Sequence, residues 1–151
     1  TDPVTALVDG GVPSATATAY VASHPELAST ALVCGQLGTD FMFRIPTISW
    51  LDAHGTRTWS YDFRWPTPLV GLSYHCLELP YAWDVLDAEG VTAVCGDNPP
   101  QVLADEMHAA WVRFIATGDP GWAGWNGHNA YVFGGEQADT YASSRLLGDS
   151  V

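Results

Sequence analysis

The sequence predicts an α/β or α+β arrangement that forms one lobe of a larger fold, and three observations carry that expectation. Thr58, Trp59, Tyr61, Phe63 and Trp65 gather β-branched and aromatic residues in one stretch, and Tyr61-Asp62-Phe63 alternates with the period of a strand. Leu103, Met107, Ala110, Trp111 and Phe114 recur at helical spacing and make one apolar stripe. One or two strands cannot build a sheet that buries such faces, so the remainder of the sheet is expected from outside these 151 residues.

Taken in order, residues 1–13 read as an irregular lead-in, because Pro3, Gly10-Gly11 and Pro13 punctuate the short apolar run Val4, Leu7 and Val8. Residues 14–54 read as helical. Alanine-rich helices are expected over Ser14–His24 and Pro25–Gly38, with Pro25 in a first turn and Glu26 favourable near the N-terminus. A further helix is expected over Thr39–His54, with Asp40 near its start, Pro46 kinking it or sitting in its first turn, and Gly55 as C-terminal cap. Residues 56–65 form the expected strand, stopped by Pro66 and Pro68, and residues 66–78 a loop around His75. Leu79 to Leu86 reads as a short helix or turn, followed by an irregular stretch from Gly90 to Pro100. The helix at 100–117 is closed by Gly118, and 118–151 is a turn-rich tail with a small strand candidate at Tyr131-Val132-Phe133.

Composition narrows the partners. With 47% hydrophobic residues and mean hydropathy near zero, the chain has enough apolar material for a core. Five cations, all arginine, against a formal charge of −12 argue against nucleic acid, whose binding draws on Lys and Arg, and favour a neutral or cationic small substrate. No run of about 18 apolar residues spans a membrane. The start Thr1-Asp2-Pro3 shows no basic leader or cleavage pattern, which leaves localisation open. Cys34, Cys76 and Cys95 show no metal-ligand spacing; they read as small buried thiols, with one disulfide as the alternative.

The functional argument centres on Gly71 through Asp84, where His75 sits in a loop held between an aromatic strand and an amphipathic turn. Such a loop can fix an imidazole in one orientation, and a side chain that titrates near neutrality can accept a proton and return it. Three blocks carry a family resemblance: Thr39-Asp40 with Phe43 and Pro46; Tyr61-Asp62-Phe63 leading to Gly71, His75, Glu78, Leu79 and Pro80; and Trp111, Phe114 and Thr117-Gly118-Asp119-Pro120. Over roughly residues 25 to 133 the chain resembles the C-terminal part of a type-B carboxylesterase, the cholinesterase-like branch of the α/β-hydrolase fold. The resemblance implies an α/β class in which this chain is the C-terminal lobe, and it implies that His75 is the triad base.

Other residues are weighed against duller roles. Gly71-Leu72-Ser73-Tyr74-His75 copies part of the nucleophile elbow G-x-S-x-G but lacks the last glycine, and prolines stand where a buried strand should precede it; Ser73 is therefore read as scaffold. Glu78 is read as opening the segment after the base, not as the triad acid, and Asp9, Asp40 and Asp52 as caps and surface groups. Cys76 stands where the resembled family usually has glycine. His24, His54, His108 and His128 are read as surface residues; Trp111, Phe114, Trp59, Trp65, Trp83, Trp122 and Trp125 as core, with Trp65 or Leu72 as the residue that reaches a substrate pocket.

No other G-x-S-x-G and no His-Gly-Gly stretch occurs, so the resemblance implies that nucleophile, acid and oxyanion hole lie upstream, on a companion portion of the same esterase. The expected activity is serine-dependent hydrolysis of a small carboxylic ester, without cofactor or metal, and not by this chain alone. The alternative is a catalytically silent esterase-like module used for binding or adhesion.

Overall fold

In the computed structural model, residues 1–55, 57–128, 130–137 and 141–148 are described. Their elements run α1 (Pro3–Asp9), α2 (Ser14–Ala22), α3 (Thr30–Thr39), a π-helical turn (Asp40–Arg44), α4 (Ile45–His54), β1 (Tyr61–Phe63), α5 (Leu79–Ala82), α6 (Thr92–Cys95), α7 (Gln101–Thr117), β2 (Tyr131–Phe133) and α8 (Ala142–Gly148). The chain divides into two compact units, one of Thr1–Thr58, Trp125–Asn129 and Asp139–Val151, the other of Trp59–Gly124 and Ala130–Ala138.

The first unit is helical. Where an irregular lead-in was expected, α1 forms because Asp2 accepts the Thr5 N–H at 3.1 Å as N-cap and Pro3 occupies the first turn, where its missing N–H is harmless. The break between α2 and α3 falls later than Pro25 suggests: Ser29 caps α3 by accepting the Leu32 N–H at 3.3 Å, and residues 23–29 turn. From Thr30 to His54 the helix is continuous, and Pro46 is accommodated by a register slip. The Ile45 N–H reaches back to the Asp40 carbonyl, five residues away, so Pro46 sits in a first turn. Leu7, Ala17, Tyr20, Val33 and Leu147 form the core.

Asp40 is the polar centre of this unit and corrects its reading as a cap or surface group, since it is fully buried. Its carboxylate accepts from the Tyr20 hydroxyl at 2.6 Å, Gln36 Nε2 at 3.0 Å, Ser144 Oγ at 3.1 Å and Arg44 Nη1 at 3.4 Å. A buried carboxylate is tolerable because donors surround it. Tyr20 holds its proton well above the ordinary phenol range, first through burial and then through the bond to Asp40.

The second unit is built on a two-stranded parallel sheet, with Tyr61 opposite Tyr131 and Phe63 opposite Phe133. Parallel strands need a crossover, supplied here by α5, α6 and α7. Leu77, Tyr81, Cys95, Leu103, Ala104, Met107 and Phe133 are its buried centre, and Tyr61, Phe63 and Trp65 pack against them. In α7 the apolar stripe divides: Leu103, Ala104, Met107 and Ala110 are buried, but Trp111 and Phe114 remain 41% and 42% exposed. These two aromatics were expected in the core. Within the unit Trp111 meets Tyr61 and Phe114 meets Trp59 edge-on, and Trp83 is also largely exposed. Gly118 ends α7 in the left-handed conformation with its N–H on the Phe114 carbonyl.

The strand edges differ. Tyr131 donates to the Ser60 carbonyl and Arg64 to the Phe133 carbonyl, so residues 60, 62 and 64 face β2 while Tyr61 and Phe63 direct their backbone groups the other way. On the far side of β2, the Gln137 side-chain amide accepts the Val132 N–H at 3.1 Å and donates to the Val132 carbonyl at 2.8 Å.

Candidate functional site

His75 is exposed on a loop tied down on both sides. Before it, Thr67 and Leu72 form an antiparallel bridge, the buried Thr67 hydroxyl donates to the Val94 carbonyl at 2.8 Å, and Ser73 Oγ donates to the Phe63 carbonyl at 3.0 Å. After it, Leu77 is buried and donates its N–H to the Tyr74 carbonyl at 3.1 Å; the Tyr74 hydroxyl lies 3.3 Å from the Val94 carbonyl. Ser73 and Leu77 thus fix the ends of a short turn, and His75 projects between them.

The turn depends on Cys76, whose φ of +66° lies in the left-handed region that glycine adopts without cost. Its carbonyl receives the Leu79 N–H at 3.3 Å and leads into α5. The sequence marked this position because glycine is usual there in the resembled family; the backbone conformation is a glycine-type one.

Glu78 is half-buried, and its charge adds to burial in raising the Tyr61 phenol above its ordinary pKa. Ser73 is engaged with the strand carbonyl, as a scaffold residue would be. The acids lie in the other unit: Asp9 is exposed, Asp40 is saturated by donors, and Asp52 accepts the Trp125 indole N–H at 2.8 Å.

Two histidines expected on the surface are not there. His24 is 11% exposed, with Nδ1 3.0 Å from Glu26 and its ring edge-on to Tyr20, and the half-buried His108 has Nδ1 3.0 Å from the Ala82 carbonyl. His54 and His128 are exposed.

The three cysteines are free thiols; Cys34 and Cys76 are exposed and only Cys95 is buried, which corrects the expectation for the first two. Cys95 lies against the Tyr81 hydroxyl, and burial raises the pKa of both. No group of metal-ligating side chains occurs among the described residues. Among them, no helix is long and apolar enough to cross a membrane.

Trp65 packs on Tyr81 and lines an open cleft of about 470 Å³ with Leu103, Glu106 and Tyr131; His75 is not among its lining residues. Around the loop, Leu69, Val70, Leu72, Tyr74 and Leu79 are exposed. What sequence reasoning missed was the frame, Thr67 and Val94, for which no local signal exists. The arrangement presents an imidazole beside an uncovered apolar surface, suited to exchange a proton with a group carried by another segment.

No protein-family model matches the chain. Over 87 residues, 54% of the chain, the sequence is 30% identical to a protein of Bacillus subtilis (strain 168) described as a para-nitrobenzyl esterase. The matched stretch is 18% of that relative's length.

Proposed function

We propose that this chain is part of a serine carboxylic ester hydrolase of the type-B carboxylesterase kind and contributes His75 as its catalytic base. The observation that carries the proposal is the similarity to a para-nitrobenzyl esterase over more than half the chain. The anchored, exposed setting of His75 and the glycine-type backbone at Cys76 support it. The nucleophilic serine, the acid and the oxyanion donors belong to a companion portion of the same esterase.

In this mechanism His75 takes the serine hydroxyl proton as the oxygen attacks the ester carbonyl, then gives that proton to the departing alcohol. A water then loses a proton to His75 and attacks the acyl-enzyme, and the same proton returns to serine as the acid is released. The substrate is a small neutral or cationic ester, in keeping with a charge of −12 on this portion. The exposed apolar residues around His75 would be covered by the companion portion and by substrate.

The test is turnover of a short-chain aryl ester by the full-length gene product, with a serine-directed fluorophosphonate as label. Label is expected on a serine outside these 151 residues. His75→Ala should lower kcat/KM by at least roughly 1,000-fold while the protein stays folded. Near-normal turnover in that variant would remove His75 from the mechanism, and label on Ser73 would place the nucleophile in this chain.

A further inference from the structure

The last carbonyls of a one-turn helix find no partner within it, and in α6 the Val94 carbonyl is taken up by the His75 loop instead. Two hydroxyls converge on it: Thr67 Oγ1 at 2.8 Å, from the start of the loop, and the Tyr74 hydroxyl at 3.3 Å, from the residue beside the histidine. A carbonyl oxygen carries two lone pairs, so both donors are accepted at once. The backbone around Thr67 is tied in the same way, since its carbonyl receives the Val70 and Gly71 N–H groups at 3.3 and 2.8 Å. A side-chain carbon at Gly96, just past α6, would come within 2.9 Å of Pro68 Cγ, so helix end and loop already touch. Beyond the histidine, Tyr81 of α5 and Cys95 of α6 share one buried cluster. The imidazole is thus referenced to α6 from before, beside and after.

We propose that Thr67 and Tyr74 are positioning residues for the ester hydrolysis, their hydroxyls fixing the His75 loop on the C-terminal turn of α6 so that the imidazole keeps its place while it takes and returns the serine proton. The proposal rests on the esterase reading above. Neither hydroxyl moves a proton in the reaction; each acts through His75. Proton transfer needs the heavy atoms within about 2.6–3.2 Å, and a displacement of about 1 Å can cost on the order of 100-fold in rate. The two donors are unequal. Thr67 is fully buried, so no water can stand in for its hydroxyl, whereas Tyr74 is 43% exposed and water can replace it in part.

The test is aryl-ester turnover by the full-length gene product, scaled to the sites titrated to completion by fluorophosphonate so that misfolded protein is not counted. Thr67→Val should lower kcat per site about 10-fold with KM within about twofold, and Thr67→Ser should restore kcat to within about twofold of the parent. Tyr74→Phe, an exposed change that spares the core, should cost about threefold, and the two together more than the product, because each hydroxyl backs up the other. With His75 already replaced by alanine, Thr67→Val should change nothing further. Parental kcat per site in Thr67→Val or in Tyr74→Phe would overturn the proposal. So would an unrestored Thr67→Ser, or an equal loss in the His75→Ala background, which would show that Thr67 acts through the fold at large. Near-normal turnover in His75→Ala rejects the esterase reading itself, whereas a crippled His75→Ala beside an unaffected Thr67→Val rejects the positioning role alone.

Discussion

Asp40→Ala isolates the worth of the polar centre of the helical unit. The substitution removes the acceptor for four donors, of which the Tyr20 and Ser144 side chains are fully buried and have no route to water. Each orphaned buried donor costs about 1–3 kcal/mol, so these two account for about 2–6 kcal/mol, in line with the roughly 3–5 kcal/mol for breaking a buried charged pair. Gln36 and Arg44 are only partly buried and can turn toward solvent, so they add little. Urea unfolding followed by tryptophan fluorescence measures the change; with a slope of about 2 kcal/mol per molar, the midpoint should fall by roughly 1.5–2.5 M. Asp40→Asn keeps one acceptor oxygen and should lose about half as much. An alanine variant within about 0.5 kcal/mol of the parent, the range of ordinary surface changes, would refute the argument that these bonds hold the unit together.

Two further outcomes follow from groups already described. Tyr20 and Tyr81 are fully buried and keep their protons above the ordinary phenol pKa, so the folded chain holds protons that the unfolded chain releases above about pH 10. Their contribution is complete below that pH and is lost as pH rises beyond it, by about 1.4 kcal/mol per pH unit for each. Urea midpoints measured from neutrality to about pH 11 should therefore be flat and then fall; a flat profile throughout would contradict the burial argument. Cys76→Gly relieves a left-handed side chain but adds chain entropy to the unfolded state, so it should be neutral or stabilising by up to about 1 kcal/mol. Cys76→Val should lose at least about 1 kcal/mol by thermal melting; a glycine variant as unstable as the valine one would show that the thiol, not the backbone, matters there.

How much of this was legible depended on how local the cause was. The α7 helix could be read from its stripe because helical spacing is a property of neighbours, and β1 from its alternation. The same stripe could not reveal that Trp111 and Phe114 stay exposed, since that depends on what faces them. The α1 signal was present as Asp2-Pro3, a cap followed by a first-turn proline, but the glycines and prolines around it outweighed seven helical residues. Burial of Asp40 depends on Tyr20 and Ser144, far away in sequence on either side, and no pattern at Asp40 announces them. The same holds for the Thr67–Val94 strap beneath the His75 loop. His75 itself was visible as a loop histidine, and its proposed role came from resemblance, because an imidazole in a loop has no periodicity to betray its chemistry.

The order in which the chain returns to its units bears on synthesis. Within this stretch α1 to α4 are made before the sheet unit, but Ser144, which bonds Asp40 across 104 residues, is made after it. During elongation Asp40 therefore waits with one of its donors not yet made, while the whole of the sheet unit is produced in between. A stop codon shortly after residue 137 would spare every described strand and helix of the sheet unit, yet leave the earlier-made helices without α8 and its Ser144. A helix made after the sheet unit thus completes the polar centre of a unit begun before it.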